Sequence, residues 1–420
     1  MRGRKKKYDN TIEMNILLSL VFMCLLGAII LFSASADYCV LHHEGNPYHS
    51  LKNQLYFMGG GFAAVLVISR LNYLVLARLS WLAYGVSIAS IAALRFVGIT
   101  ANGATRWLGA GSFRFQVAEL VKAAVILILA RYISRHFEKN DNRAALTLRA
   151  WLLGGVPAVM LFFISSDFSS AVVILMIVFV ITFTTMRTTK LHLVTGLAAV
   201  IVVAAYIMHI AANMPSAADL KEMNFRDVRI AVFLDPERYA QSAGYQTMQA
   251  LYAVGAGGLI GRGLGNSLQK YMIPEPHTDM IFSIMCEELG LLGVFMYFLL
   301  LGYLLYLIAK VAANAETLYG SIVALGTFTH LFVQSVFNIA VNLNLLPNTG
   351  LPLPFISYGG TSLLLMMAEC GLVLSVERHH EIEKYKRSKK VIASLTGSHK
   401  GSDGKKTGEE KLEENRKIVG

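Results

Sequence analysis

The run FSSAVVILMIVFVITFTT, residues 168–185, contains no charged residue over 18 consecutive positions. An α-helix rises about 1.5 Å per residue, so about 20 apolar residues cross the roughly 30 Å hydrocarbon core of a bilayer. The run therefore predicts a transmembrane helix. Nine further apolar runs predict nine more such helices, at residues 14–35, 54–69, 79–97, 116–134, 150–165, 191–211, 281–309, 319–341 and 357–377.

The composition agrees with this prediction. Hydrophobic residues make up 55% and charged residues 15% of the 420-residue chain, and the mean hydropathy is +0.52. A water-soluble domain could not bury so much apolar surface. We expect an all-α polytopic membrane protein with about ten transmembrane helices. The chain then divides into a basic N-terminal tail (1–13), an integral membrane domain (14–377) and a tail (378–420) whose composition predicts disorder.

The positions of Lys and Arg orient the predicted helices, because cytoplasmic loops carry an excess of positive charge. An even number of spans puts both termini on one side, and both termini are Lys-rich or Arg-rich. Both ends are therefore predicted to be cytoplasmic. Residues 212–280, between the seventh and eighth predicted spans, then form a long extracytoplasmic segment. Loops on the cytoplasmic side add Arg70, Arg78, Arg131, Arg135, Lys139, Arg143, Arg149, Arg187, Lys190 and Lys310.

Several function classes lack support in the sequence. The net charge of +11 is explained by topology and by attraction to anionic lipid headgroups, and we expect no nucleic-acid partner. The chain has no GxxxxGK[ST] motif and no CxxC pair, so neither ATP-driven transport nor a thiol metal site is indicated. The four-residue spacing of Gly257, Gly261 and Gly265 favours close helix packing or re-entrant backbone over a phosphate-binding loop.

Ionisable residues inside predicted spans are candidates for function, because burying a charge in hydrocarbon is costly. Gln116, Glu119 and Lys122 are spaced three residues apart and so share one helix face, where Glu119 and Lys122 can pair. A structural ion pair and a functional site both explain this pattern.

The start of the eighth predicted span combines three polar groups. Glu275, His277 and Asp279 lie within five residues, where the chain enters the membrane. A carboxylate at this position can act on a substrate at the membrane surface, or it can simply cap the helix. The spacing alone leaves both roles open.

A series of motifs runs along the whole membrane domain: Arg106-Trp107, Phe233–Pro236, Gly244–Gln246, Gly263–Ser267 with Gln269-Lys270, Pro274-Glu275, His277–Asp279, Glu287–Gly290, Asn338, Asn342, Gly350 and Leu353–Ser362. Together and in this order they resemble the motifs of the SEDS family (FtsW/RodA/SpoVE). The Gly-Leu-Gly-Asn-Ser motif followed by Gln-Lys is closer to the FtsW and SpoVE branch than to RodA. Two segments depart from the family pattern, since Gln116–Glu119 and Ser165–Ser169 each lack the usual proline.

The resemblance implies a peptidoglycan glycosyltransferase. Such an enzyme polymerises lipid II, a disaccharide-pentapeptide on undecaprenyl pyrophosphate, at the outer face of the bacterial cytoplasmic membrane. Expected partners are a class B penicillin-binding transpeptidase and other divisome proteins, and the expected location is the division septum. The resemblance leaves open a role in division or in sporulation, and also whether a divalent cation, Mg or Mn, takes part.

The resemblance also implies roles for individual residues. Asp279 would be the general base, and cations on the outer side would bind the pyrophosphate of the leaving group. Glu119 and Lys122 would line the cavity near Asp279. The full set of predicted substrate-binding residues is Gln116, Glu119, Lys122, Arg226, Arg229, Arg262, Lys270 and His277.

Two other functions fit the same sequence. A lipid II flippase would also have about ten helices, a buried ion pair and glycine-rich broken segments. A non-catalytic divisome scaffold is the third possibility. A flippase needs a polar lining that reaches both faces of the membrane, whereas the polar motifs here cluster on the predicted outer side.

Overall fold

The structure, a computed structural model, describes residues 10–101, 104–110, 113–139, 142–216, 219–221 and 223–397. The basic residues 2–7 therefore lie outside the described part. The α-helices of the described residues are α1 (Thr11–His42), α2 (His49–Arg70), α3 (Tyr73–Val97), α4 (Val117–His136), α5 (Arg143–Ile164), α6 (Phe168–Met186), α7 (Thr189–Ala212), α8 (Phe225–Leu234), α9 (Tyr245–Gly257), α10 (Ile281–Asn314), α11 (Leu318–Asn342) and α12 (Gly360–Gly397).

Nine helices among these residues are long and apolar enough to cross a membrane, judged by length and composition. They match the predicted spans except for 116–134, which corresponds to α4. This helix carries Glu119, Lys122 and Arg131, yet most of its apolar side chains are buried in the bundle. The predicted polytopic helical membrane fold is confirmed. The tenth span and the orientation of the termini stay predictions.

A small antiparallel sheet, which the sequence analysis did not predict, lies between α3 and α4. Its strands are β1 (Ile99–Ala101), β2 (Ala104–Ala110) and β3 (Phe113–Gln116), in the order β1-β2-β3. Trp107 pairs with Gln116, the residue directly before α4. The sheet therefore places Arg106, the neighbour of Trp107, close to the start of α4.

The helices differ in how much of their surface the protein itself covers. On α7, the apolar side chains of Val194, Leu197 and Val202 are 65%, 58% and 68% exposed. Side chains of α11 and α12 are instead mostly buried against α4, α10 and α2. Apolar exposure of this extent fits a hydrocarbon environment around α7, because lipid tails are as apolar as the side chains.

The long segment between α7 and α10 contains α8 and α9. Its glycine-rich part contacts the main chain of α10 where that helix is interrupted. Gly290 interrupts α10 with φ 63° and ψ −164°. At this break the N–H of Arg262 donates to the Glu287 carbonyl at 2.9 Å, and the N–H of Leu291 donates to the Gly258 carbonyl at 3.0 Å. Gly257, Gly261 and Gly265 therefore do not lie on one helix, because α9 ends at Gly257. The close backbone contact itself is present.

The last helix is longer than the sequence indicated. α12 continues to Gly397, past residue 378, where a disordered tail was predicted to begin. Its side chains still contact the bundle there, since Arg387 pairs with Glu316 at 2.7 Å. The prediction of disorder can therefore concern only residues 398–420, which lie outside the described residues.

Candidate active site around Asp279

Asp279 lies in the turn before α10, and its main chain is held more firmly than its side chain. The Asp279 carbonyl accepts hydrogen bonds from the side-chain amides of Asn338 at 2.8 Å and Asn342 at 2.9 Å. The partly exposed carboxylate accepts from the Thr278 hydroxyl at 3.1 Å and from Gln246 Nε2 at 3.5 Å. The carboxylate thus remains available to another partner.

The structure does not give Asp279 the helix-capping role that the sequence left open. The residue preceding α10 is Met280, and it makes no side-chain capping hydrogen bond. In the first turn, the N–H of Ser283 donates to Asn342 Oδ1 at 3.1 Å. Asn342 satisfies this backbone group, so Asp279 is not needed as a cap.

Three charged side chains converge over Gly350, in the loop between α11 and α12. A Cβ atom built on Gly350 would lie 3.3 Å from an Arg106 guanidinium nitrogen, 3.9 Å from one of Arg229 and 3.9 Å from Asp279 Oδ2. These side chains come from β2, α8 and the turn before α10. A carboxylate and two cations therefore face one small space, which a glycine leaves free.

Replacing Gly350 by Ala should fill part of the space between Asp279, Arg106 and Arg229. Gly350 has φ +69°, so Ala adds backbone strain of about 1 kcal/mol, and its methyl group meets Arg106. Gly45→Ala is the matched control, because Gly45 has φ +78° and no atom within 4 Å of an added Cβ. We expect similar losses of thermal stability in both variants. Turnover of lipid II, the substrate that the family resemblance implies, should be lost only in Gly350→Ala. Equal turnover in the two variants would contradict this.

Arg229 carries its charge in a half-buried position. Burial, followed by the repulsion of Arg106, lowers the pKa of Arg229 to about 10, while Asp279 and Asp167 act in the opposite direction. The guanidinium also lies over the Phe225 ring, 4.2 Å from its centroid. At neutral pH Arg229 is still a cation, and a poorly solvated one gains from an anionic ligand.

Asp167 links Arg106 to α6. Its carboxylate caps the helix by accepting from the Ser170 N–H at 3.2 Å and from the Ser170 hydroxyl at 2.9 Å. It also lies 3.6 Å from Arg106 Nε. Asp167 is therefore the N-cap of α6, and the same carboxylate lies beside Arg106.

His277 is buried among aromatic rings. Its ring lies 5.1 Å from that of Tyr38 and 5.5 Å from that of Tyr358, and its carbonyl accepts from the Tyr358 N–H at 2.9 Å. Burial, with a smaller contribution from His43, lowers the pKa of His277 to about 4. His277 is thus neutral at physiological pH and anchors the turn that carries Asp279.

The pKa of His277 predicts a pH dependence of stability. Between the ordinary pKa of 6.5 and the folded-state value of about 4, the unfolded chain binds more protons than the folded one, so stability falls as the pH decreases. Each pKa unit corresponds to about 1.4 kcal/mol. In melting experiments from pH 7 to 4.5, wild type should lose more stability than His277→Phe. Parallel curves would show that another group is responsible.

Lys270 is paired on the side facing α1. Its ammonium lies 2.8 Å from Asp37 Oδ2 and donates to the Gly265 carbonyl at 2.9 Å. Burial would lower the pKa of Lys270, but the hydrogen bond and charge of Asp37 outweigh it and raise the pKa. The charge of Lys270 is therefore compensated within the protein.

Arg262 is paired with the buried carboxylate of Glu287, 3.0 Å from Oε1. Glu287 also accepts from the Ser267 hydroxyl at 2.5 Å and from the N–H groups of Leu268 and Gln269 at 3.0 and 3.2 Å. Glu287 thus holds the glycine-rich loop against α10. Arg262, which is 40% exposed, is part of this arrangement.

Arg226 faces α5, although it lies on the same helix as Arg229. It donates to the Phe162 carbonyl at 2.8 Å, and its guanidinium lies 3.9 Å from the centre of the Phe162 ring. In the part of the chain that the structure describes, the hydrogen bonds and ion pairs of Arg226, Arg262 and Lys270 do not include Asp279.

The predicted pairing of Glu119 with Lys122 is confirmed, at 2.6 Å between two fully buried side chains. Lys122 also donates to Gln334 Oε1 at 2.6 Å. Gln116 ends β3, and its N–H donates to the Thr361 hydroxyl at 3.3 Å. These contacts lie inside the bundle, so their part in substrate binding stays a prediction.

A ligand set for a divalent cation is not evident. Among the described residues, no three His, Cys, Asp or Glu side chains are grouped so that they could hold a metal ion. Mg²⁺ is often bound by only one or two carboxylates together with substrate phosphates. Asp279 supplies a single carboxylate, so the site fits a cation only when substrate phosphates provide further ligands.

Sequence reasoning gave no role to Arg106, Asn338, Asn342 or Gly350. Their family motifs were noticed, but their proximity to Asp279 depends on contacts between distant parts of the chain. One signal was available in α11, where His330, Gln334, Asn338 and Asn342 recur every four residues and so share a helix face.

The fold and this site define a polytopic membrane protein with a charged cluster where several of its helices begin or end. Residues 14–382 match the model of the FtsW/RodA/SpoVE family, described as cell cycle protein. The chain belongs to this family.

Named relatives and a solved structure extend the comparison. The probable peptidoglycan glycosyltransferase FtsW of Thioalkalivibrio sulfidiphilus is 34% identical over 369 residues, which cover 86% of this chain and 88% of that protein. Stage V sporulation protein E of Bacillus subtilis is also 34% identical, over 87% and 97% of the two chains. A chain of a solved peptidoglycan synthase complex superposes with a TM-score of 0.68 at 28% identity, covering 89% of this chain and 99% of that one.

Proposed function

We propose that this chain is a peptidoglycan glycosyltransferase that joins lipid II disaccharides into glycan strands at the outer face of the cytoplasmic membrane. The observation that carries the proposal is the convergence of Asp279, Arg106 and Arg229 over Gly350. The named glycosyltransferase relatives support the same activity.

In this proposal Asp279 is the general base. It takes the proton from the 4-hydroxyl of the acceptor sugar as that oxygen bonds to the anomeric carbon of the donor. The bond between this carbon and the pyrophosphate breaks, and undecaprenyl pyrophosphate leaves with the bonding electrons. A positioned base of this kind typically contributes about 10²–10⁴-fold to the rate.

Arg229 and Arg106 take the role of stabilising the leaving pyrophosphate. Preorganised cations are most effective where charge develops in a water-poor site, and Arg229 is such a cation. We assign Arg226, Arg262 and Lys270 to holding the outer segment instead, because their hydrogen bonds and ion pairs do not include Asp279 and the cations facing Gly350 are Arg106 and Arg229. This revises the expectation that all these cations bind phosphate.

The proposed partners are a class B penicillin-binding transpeptidase and other divisome proteins, at the division septum or in spore-wall synthesis. The superposition on a chain of a peptidoglycan synthase complex that coordinates polymerization and crosslinking supports a transpeptidase partner. The equal identity to FtsW and to the sporulation protein supports either setting.

The function is tested with the full chain and its transpeptidase partner in liposomes that contain lipid II. We expect glycan strands and released undecaprenyl pyrophosphate in amounts that correspond to each other. If lipid II crosses the bilayer in a protein-dependent way while no glycan forms, the protein is a transporter and the proposal is wrong.

A further inference from the structure

α11 carries four buried polar side chains on one face, His330, Gln334, Asn338 and Asn342, which we call the polar column. All four are at most 1% exposed. Polar groups at membrane depth need partners inside the protein, because hydrocarbon offers none. The partners of the column therefore indicate what it holds.

One end of the column holds the turn that carries Asp279. The Asn338 amide donates at 2.8 Å to both the Asp279 carbonyl and the Leu351 carbonyl. The Asn342 amide donates to the same Asp279 carbonyl at 2.9 Å, and its oxygen accepts from the Ser283 hydroxyl at 2.6 Å. One amide group thus ties the Asp279 peptide to the loop of Gly350.

The other end of the polar column holds the loop that contains Gly350. Gln334 Nε2 donates to the Pro352 carbonyl at 3.1 Å. Gln334 is oriented because its oxygen accepts from Lys122 at 2.6 Å and also lies 3.1 Å from His330 Nε2. His330 is itself held by Glu369, 2.9 Å from Nδ1. The Pro352 carbonyl is thereby connected through Gln334 to the buried Lys122, and through His330 to Glu369.

We propose that Asn338 and Asn342 are positioning residues for Asp279, and that Gln334, held by Lys122, keeps the Gly350 loop opposite it. This inference rests on the proposed role of Asp279 as base. Hydrogen bonds donated to a carboxylate make it a weaker base. Because Asn338 and Asn342 hold the carbonyl and not the carboxylate, they place the base without adding to the hydrogen bonds that Thr278 and Gln246 already donate to it. A misplacement of about 1 Å can cost about 100-fold in rate.

The test compares Asn338→Leu and Asn338→Asp with wild type, each as the full chain with its transpeptidase partner and lipid II. Asn338→Leu removes both donors, and we expect kcat to fall about 10- to 100-fold. The KM and the number of lipid II molecules bound per protein should stay at wild-type values. Ser335→Ala, one turn closer to the start of α11, is the control, because that buried hydroxyl donates to the Leu331 carbonyl of its own helix.

Asn338→Asp gives a second readout, the pH dependence of the activity. When protonated, the new carboxyl group can donate one hydrogen bond to a carbonyl, whereas the ionised form can donate none. The activity of Asn338→Asp relative to wild type should therefore rise as the pH is lowered. The relative activity of Asn338→Leu should not change with pH.

The outcomes separate this inference from the proposed function. Wild-type kcat in Asn338→Leu, together with an inactive Asp279→Asn, overturns the inference and leaves the function intact. A loss of lipid II binding sites in proportion to kcat also overturns it, since the column would then only support folding. Wild-type turnover in Asp279→Asn overturns the role of the base and the inference together.

Discussion

Replacing Asp279 by Asn should lower the rate of glycan polymerisation by about 10²–10⁴-fold, the contribution expected of a positioned general base. Asn is nearly isosteric with Asp but cannot accept the proton of the sugar hydroxyl. The main chain should keep its position, because Asn338 and Asn342 bind the carbonyl of residue 279 and not its side chain. The rate is measured as glycan formed from lipid II under single-turnover conditions.

Glu275→Gln is the matched control for this variant. It makes the same chemical change in the same segment, at an exposed side chain four residues earlier. We expect turnover close to that of wild type in Glu275→Gln and equal thermal stability in both variants. If Asp279→Asn polymerises as fast as the control, Asp279 is not the base.

Replacing Arg229 by Met should give the second largest effect. Met keeps much of the aliphatic bulk over Phe225 but removes the cation that faces Asp279 across Gly350. Losing one preorganised group that stabilises developing charge typically costs about 10²–10³-fold in rate. We expect a loss of this size in kcat/KM for lipid II, with the released undecaprenyl pyrophosphate as the measured product.

Arg238→Met provides the control for Arg229→Met. Arg238 is an exposed arginine of the same outer segment, and its guanidinium lies 5.9 Å from the centre of the Tyr239 ring. Its loss should leave kcat/KM within about a factor of five of wild type, since exposed charges contribute about 1 kcal/mol or less. Equal losses in the two variants would assign the effect to general surface charge.

The membrane helices could be predicted from the sequence because their signal is local. The run at 168–185 corresponds to α6 (Phe168–Met186), and the run at 319–341 corresponds to α11 (Leu318–Asn342). Each helix satisfies its own backbone hydrogen bonds, so its position depends on nearby residues alone. The strands β1 to β3 escaped prediction because pairing between strands is not a local property.

Part of the candidate site was predictable and part was not. Asp279 and His277 were found because they stand together at the start of an apolar run. Arg106 and Gly350 are separated from Asp279 by long stretches of chain, and only packing brings them together. Equally, the spacing of Glu119 and Lys122 predicted their ion pair, but it did not show that Gln334 connects this pair to the loop of Gly350.

The sequence by itself determined that this is a membrane protein, where most of its helices lie and to which family it belongs, because hydropathy and motifs are properties of short segments. Only the tertiary structure decided which cations face Asp279. Arg262 and Lys270 are matched by Glu287 and Asp37, while the half-buried Arg229 faces the same space over Gly350 as Asp279. The physical reason is that a charge acts on whatever lies within a few ångströms, and in a bundle those neighbours come from distant parts of the chain.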